Sequence, residues 1–227
     1  MASIAVDSRF GRTLRFYDST NGKKVVMAAT GVVLFGFVIA HLLGNLQVYL
    51  GPGKLDDYGR LLRQNSGLLW TARGFLLAAV VTHITAATQL YLLKTRARPF
   101  SYAKKVPTTS TYASRTMYWS GPILLAFIIY HLLHFTTGTV LPGFKEGAVH
   151  ENLVRGFSNP LVSGFYILAM VLLCTHLYHG IWSMFQSVGF GHPRYAPKLK
   201  TFAKMTAIAL AAGNISIPVS VLLGIIR

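Results

Sequence analysis

The sequence has few acidic residues, a single cysteine and few charges overall, and each of these shortages excludes a class of protein. Only 6 of the 227 residues are Asp or Glu, and charged residues make up 12% of the chain. A soluble domain carries about 25% charged residues, so this composition indicates a membrane protein. The lone Cys174 excludes a disulfide within the chain and a cluster of thiolate metal ligands.

Long apolar runs are abundant instead. The chain is 52% hydrophobic with a mean hydropathy of +0.47, and several runs exceed the roughly 20 residues that a helix needs to cross a bilayer. A lone strand cannot satisfy its backbone in lipid, so the predicted fold is all-α: a polytopic membrane helix bundle forming a single membrane domain over 1–227. The five predicted transmembrane helices are approximately 24–50, 68–93, 116–140, 161–188 and 202–226.

Basic residues concentrate in alternate connecting segments. With the N-terminus inside, most of the 22 Lys and Arg residues fall in inner segments, among them Arg9, Arg12, Arg15, Lys104 and Lys105. Because basic loops favour the cytoplasmic side, the N-terminus is predicted to be cytoplasmic. The same rule accounts for the net charge of +16 without a nucleic-acid partner. No apolar core with a cleavage site precedes the first span, so no signal peptide is expected.

Two of the predicted outer segments have helix-like patterns. The segment 54–65 places Leu55, Tyr58 and Leu62 on one face, and 147–157 has a weaker pattern. Both are interpreted as short interfacial helices. His150, in the second segment, and His192, in a later loop, are expected to be solvated surface residues.

The remaining six histidines all lie within predicted spans: His41, His83, His131, His134, His176 and His179. Counting about 1.5 Å per residue places His41 and His131 in the outer half of the bilayer and His83 and His176 in the inner half, about 15 Å apart in depth. Facing imidazoles on separate helices are what a bis-histidine haem iron requires. A hydrogen bond to a neighbouring helix explains any single histidine equally well, but four that pair by depth favour two haem sites.

Two further histidines accompany these pairs. His134 and His179 each follow a preferred ligand by three residues, on nearly the same helix face. They are interpreted as contacts to a haem propionate or a quinone, or as polar packing residues. Ligation by His134 in place of His131, or by His179 in place of His176, is the alternative.

Polar side chains near the histidines are candidate cofactor contacts. Arg73, at the outer start of the second span, and Lys23, at the inner end of the first, are candidate partners of haem propionates. Snorkelling to lipid headgroups is the alternative for both. Asn45, Gln47 and Tyr49, just beyond His41, are candidates to hydrogen-bond a quinone carbonyl or simply lie at the interface.

The acidic residues all fall outside the predicted spans. Cation and proton transporters commonly use carboxylates within the membrane. A transporter that uses the histidines directly is therefore a distant alternative.

Four stretches carry a family resemblance: GKKVVMAATGVVLFGFVIAHLLGNLQ, RGFLLAAVVTHITAATQL, YWSGPILLAFIIYHLLHFTTG and FYILAMVLLCTHLYHGIWSMFQS. They resemble the dihaem cytochrome b subunit of succinate dehydrogenases and fumarate reductases, of the single-subunit, five-helix type that works with menaquinone. The resemblance covers roughly 24–190. Its H-x-x-x-G-I-W pattern selects His176 over His179, and the histidine ten residues after Ser120-Gly121 selects His131 over His134.

The resemblance implies a membrane anchor for a flavoprotein subunit with FAD and an iron–sulfur subunit in the bacterial cytoplasmic (inner) membrane. Electrons would enter an inner haem b on His83 and His176, pass to an outer haem b on His41 and His131, and reach menaquinone. Succinate oxidation would not occur on this chain, which would have no dicarboxylate active site of its own, and the complex could form a higher oligomer.

Two details of the resemblance concern acidic residues. The family's acidic residue linked to quinone binding would be Asp56 or Asp57. Cys174 stands where the family's fumarate reductases can carry a glutamate, so a proton path through that carboxylate is not expected. A dihaem cytochrome b of a hydrogenase or formate dehydrogenase shares the histidine pattern and is the alternative function.

Overall fold

The structure is a computed structural model that describes residues 16–97 and 112–227. Regular structure in these ranges is helical. The helices are α1 (Thr20–Asn45), α2 (Pro52–Gln64), α3 (Ser66–Arg96), α4 (Tyr112–His131), α5 (Val149–Phe157), α6 (Pro160–Ser187) and α7 (Ala196–Leu222). A 3₁₀ turn, Leu46–Leu50, extends α1, and a π-helical turn, Leu132–Thr136, extends α4.

Five helices of the described ranges are long and apolar enough to cross a membrane, which confirms the predicted all-α, five-span fold. With their extensions, they run Thr20–Leu50, Ser66–Arg96, Tyr112–Thr136, Pro160–Ser187 and Ala196–Leu222. The last helix begins at Ala196, six residues before the predicted position, and so includes the basic segment 196–201. The predicted cytoplasmic N-terminus rests partly on basic residues that lie outside the described residues: Arg9, Arg12, Arg15, Lys104 and Lys105.

Side-chain caps define where three spanning helices begin. The Ser19 hydroxyl accepts a hydrogen bond from the Gly22 amide (2.9 Å) at the start of α1. The Asn159 side chain accepts from the Leu161 amide (2.9 Å), and Pro160 occupies the first turn of α6. Asn65 caps α3 in the same way. These caps satisfy amides that have no partner within their own helix.

The bundle is organised around α1 and α6, which pack against each other. Helix α3 packs on α1, helix α4 packs on α6, and α7 packs mainly on α6. Ala203 and Ala207 of α7 are fully buried, as expected where small residues allow two membrane helices to approach closely. Helices α3 and α4, by contrast, do not pack along each other's length. Helices α1, α3, α4 and α6 each carry one histidine of the two predicted pairs.

One end of the bundle is covered by α2 and α5, and we call it the capped end. Leu55 is 1% exposed and packs in a core cluster with Leu153 and Phe157 of α5. The His150 amide of α5 donates a hydrogen bond to the Asp56 carboxylate of α2 (2.9 Å). Both predicted interfacial segments are therefore helical, and they pack against each other.

This packing contradicts one of the sequence predictions. His150 is only 7% exposed, so its assignment as a solvated residue is wrong. The error arises because α5 covers α2 from a direction that a single-helix pattern does not contain. Leu62, one of the three residues predicted to share a face of α2, remains 48% exposed.

An ion-pair cluster borders the capped end. Lys145 lies 2.7 Å and Arg155 2.8 Å from the Glu151 carboxylate. Hydrogen bonds from Lys145 and then Arg155 lower the pKa of Glu151 below its ordinary value. The cluster therefore favours the folded state at neutral pH, and this contribution is lost as the pH falls through that lowered pKa.

Gly44 is expected to be required for docking α2 on α1. A Cβ at Gly44 would lie 2.5–2.7 Å from ring atoms of Tyr58, whereas a Cβ at Gly36 would meet nothing within 4 Å. Gly44→Ala should therefore destabilise the protein by about 1–3 kcal/mol through overpacking. Thermal unfolding of the purified protein in detergent measures this, with Gly36→Ala as the matched control on the same helix. Equal melting temperatures for the two variants would contradict the prediction.

Candidate functional site: two layers of paired histidines

His41 of α1 and His131 of α4 face each other across the bundle. Their ring centroids are 5.7 Å apart and their ring planes are nearly perpendicular, at 88°. An aromatic ring one turn earlier stacks on each imidazole: Phe37 on His41 at 5.3 Å and Phe127 on His131 at 5.8 Å. These stacking contacts hold the imidazole planes, since residues four apart on a helix are neighbours.

His83 of α3 and His176 of α6 are the second predicted pair, and each has a hydroxyl beside its imidazole. The Thr30 hydroxyl of α1 lies 3.0 Å from His83 Nδ1, and the Ser120 hydroxyl of α4 lies 3.4 Å from His176 Nδ1. Gly31 borders His83, because a Cβ there would lie 3.6 Å from the imidazole.

The two pairs form separate layers along the bundle. Thr30 and His41 are eleven residues apart on α1, and Ser120 and His131 are eleven apart on α4. At 1.5 Å per residue this separates the layers by about 16 Å. The separation is close to the 15 Å expected from sequence depth.

His134 is enclosed within the protein. It is 1% exposed, and its Nδ1 lies 3.0 Å from the Tyr166 hydroxyl of α6. This geometry supports the interpretation of His134 as a polar packing residue. His179 is partly buried beside His176, and its ring makes no hydrogen bond within the described ranges.

The predicted cationic partners differ in their freedom to bind an anion. The Arg73 guanidinium lies over the Trp70 ring, 4.9 Å from its centroid, and is partly exposed. Lys23 is 8% exposed, and its ammonium donates to the carbonyls of Tyr17 and Asp18, both at 2.9 Å. Lys23 therefore stabilises the start of α1, and Arg73 is the better candidate for a propionate.

The three predicted quinone contacts beyond His41 differ in whether their polar atoms already have partners. Asn45 donates its amide to the His41 carbonyl (2.8 Å), and its carboxamide oxygen has no hydrogen-bond partner within the described residues. Gln47 is partly buried. Tyr49 is hydrogen-bonded to Ser216 and Ser220 of α7, so its hydroxyl is already engaged.

The two candidate acids of the capped end both have partners. Asp56 accepts the hydrogen bond from His150 described above. Asp57 pairs with Arg60 one turn later on α2. Asp56 therefore holds α5 on α2, and Asp57 remains at the exposed surface.

The paired imidazoles fit an iron porphyrin. Metal–imidazole bonds are about 2 Å long, so two imidazoles on opposite sides of one ion place their ring centroids on the order of 6 Å apart. The His41–His131 separation of 5.7 Å agrees with this estimate. At His83, His131 and His176 a hydroxyl lies beside Nδ1, which leaves Nε2 for a metal. No group of three or more His, Cys, Asp or Glu side chains within 16–97 and 112–227 could hold a bare ion.

The hydroxyls beside the histidines were not identified from the sequence, although a signal was present. Helix α1 carries TG-x5-F-x3-H, ending at His41, and α4 carries SG-x5-F-x3-H, ending at His131. The first residue of each motif bonds the histidine of the neighbouring helix in the other layer. Each motif thus supplies a hydroxyl to one layer and an imidazole to the other.

The fold and the site together define a multi-pass membrane helix bundle with paired histidines at two levels. Residues 94–215 match the family model of the succinate dehydrogenase/fumarate reductase transmembrane subunit. This is more than half of the chain, so the protein belongs to that family and is a membrane subunit that associates with the catalytic subunits of such a complex. Comparisons with curated proteins and with solved structures found no match.

The matched region contains His131 and His176 but neither His41 nor His83. The contact of His41 with His131 and the contact of His83 with Thr30 place those two histidines in the site. The family consists of cytochrome b-type membrane subunits, which is compatible with the binding of haem and quinone.

Proposed function

We propose that this chain is a dihaem cytochrome b that anchors a flavoprotein subunit with FAD and an iron–sulfur subunit to the membrane. The single observation that carries the proposal is the placement of imidazoles from four different helices at two levels. The contact between His41 and His131 is the best-defined example. Family membership supports the succinate dehydrogenase or fumarate reductase complex over a hydrogenase or formate dehydrogenase.

Two haem b groups would be held by His83 with His176 and by His41 with His131. Bound there, haem would carry single electrons between the iron–sulfur subunit and a quinone. The residues of this chain fix the ligands: Thr30 and Ser120 lie beside Nδ1 of the first pair. A partner at Nδ1 sets the tautomer and the ring orientation, so Nε2 is presented to the metal.

The orientation that we propose for the protein in the membrane follows the distribution of basic residues. With the N-terminus in the bacterial cytoplasm, the His83–His176 layer lies in the inner half of the membrane, toward the catalytic subunits. The His41–His131 layer lies in the outer half, near the capped end. The carboxamides of Asn45 and Gln47 beyond His41 are our candidates to bind menaquinone there, and Arg73 is our candidate propionate partner.

A spectrum of the purified complex tests this proposal. Succinate should reduce a b-type cytochrome, and pyridine haemochrome analysis should give two haems per chain. The large subunit that copurifies should contain FAD. Dithionite reduction of the same sample is the control for total reducible haem. A colourless preparation that retains the catalytic subunits would overturn the haem assignment, and copurification with hydrogenase subunits would overturn the choice of complex.

A further inference from the structure

Tyr166 of α6 lies between two histidines of α4. Its hydroxyl oxygen is 3.3 Å from His131 Nδ1 and 3.0 Å from His134 Nδ1. The ring is 6% exposed and packs edge-on against Phe127, with centroids 5.0 Å apart. One phenol thus connects a proposed haem ligand with a buried histidine.

The π-helical turn after His131 makes this arrangement possible. The Thr137 amide donates to the Leu132 carbonyl five residues earlier (2.9 Å). Such a wider turn changes the direction of the side chains within it and is frequent at functional sites. Gly156 of α5 provides the space, since a Cβ there would lie 2.8 Å from His134 Cε1. His134 is consequently enclosed with its Nδ1 toward Tyr166.

We propose that Tyr166 is a positioning residue for the outer haem, acting through His131 and supported by His134. The inference rests on the proposed function, in which His131 binds iron through Nε2. An imidazole bound in this way carries its proton on Nδ1, so His131 Nδ1–H donates to the Tyr166 oxygen. The Tyr166 O–H is then free to donate to His134 Nδ1, which accepts.

Within the described residues the other layer lacks such a chain, and the Ser120 hydroxyl beside His176 donates to the Met117 carbonyl of its own helix. The Thr30 hydroxyl beside His83 gives its proton to the carbonyls of Val26 (2.8 Å) and Met27 (3.1 Å) on its own helix. The hydrogen-bond chain at His83 therefore ends on the backbone after one step. At His131 it continues from the phenol to a second, buried imidazole.

The chain at His131 has an electronic consequence. A hydrogen bond from the Nδ1–H of a ligand histidine raises the basicity of that ligand, and successive hydrogen bonds polarise one another. A more basic ligand stabilises ferric over ferrous iron. Tyr166 and His134 together should therefore lower the midpoint potential of the haem on His131 and leave the other haem unchanged.

Tyr166→Phe tests the inference in a redox titration of the purified complex. The outer haem should titrate at a higher potential, with the ratio of oxidised to reduced haem at a fixed potential falling about tenfold, which is 59 mV for one electron. Tyr130→Phe is the matched control, because Tyr130 stacks on His134 at 5.4 Å and its hydroxyl has no hydrogen-bond partner in the described ranges. Thr30→Val should move the potential of the inner haem instead.

Two variants of His134 keep the inference testable if Tyr166→Phe loses haem. His134→Leu removes the final acceptor and should raise the midpoint potential of the outer haem by less than Tyr166→Phe does. His134→Gln keeps an acceptor, so the outer haem of this variant should have a midpoint potential closer to the wild-type value. If Tyr166→Phe keeps two haems with unchanged potentials, this inference is overturned and the proposed function is not. Equal outer-haem potentials in His134→Leu and His134→Gln would have the same consequence. A wild-type complex without haem would overturn the proposed function itself.

Discussion

His176→Ala should reduce the haem content of the purified complex from two per chain to one and abolish succinate-driven reduction of quinone. The imidazole of His176 is one of only two protein ligands proposed for the inner iron, and alanine leaves that side of the site without a donor. Pyridine haemochrome analysis measures the loss, and quinone reduction by succinate measures its consequence. Oxidation of succinate by an artificial dye should persist, because our proposal assigns that chemistry to the catalytic subunits.

His179→Ala is the matched control for this prediction. His179 lies on the same helix, three residues later and partly buried beside His176. The His179→Ala variant should retain both haems. Retention of two haems in His176→Ala together with loss of one in His179→Ala would assign ligation to the other histidine and contradict the family pattern that selects His176.

The sequence predicts the features of this fold that depend on one helix at a time. Five apolar runs predict the five spanning helices because each helix must satisfy its own backbone in lipid. Asn159 and Pro160 predict the start of α6 because a cap acts within one helical turn. The depth of a histidine also follows from counting along its own helix, so the two layers could be expected before any contact was known.

Two features that depend on contacts between helices were not predicted. Gly44 lies one turn after His41, and the ring of Tyr58 from α2 packs against it. His150 resembled a loop histidine, but α5 packs on α2 and buries it. Neither neighbour lies close in sequence, so no local pattern contains the information.

The π-helical turn is a further case. A regular α-helix continuing through 132–136 would keep His134 near the face of His131. The wider turn and the space at Gly156 instead enclose His134 beside Tyr166. The sequence HLLHF contains no residue that specifies this turn, so the enclosed position of His134 could be found only in the packed structure.

The repeated motif of α1 and α4 relates the two halves of the bundle. Helix α1 packs with α3 and α4 packs with α6, and in each pair the motif's hydroxyl bonds the histidine of its partner. The remaining histidine of each motif meets its counterpart from the other pair. Two similar helix pairs, each carrying an imidazole at either level, are thus sufficient to build both layers.

Double substitutions should establish which histidines share a haem. If His41 and His131 hold one haem, His41→Ala/His131→Ala should lose one haem and keep the other. His41→Ala/His83→Ala should lose both, because it removes one ligand from each layer. Haem content, with covalently or tightly bound flavin as the measure of assembled complex, separates the two outcomes.

The opposite result would mean that each helix pair holds its own haem, with His41 and His83 together and His131 and His176 together. The structure argues against that arrangement, because eleven residues on α1 separate Thr30, which contacts His83, from His41. At about 1.5 Å per residue this is roughly 16 Å, whereas two ligands of one metal ion are about 4 Å apart at their nitrogens. His192→Ala, at an exposed loop, should leave both haems in place and controls for the loss of a histidine as such.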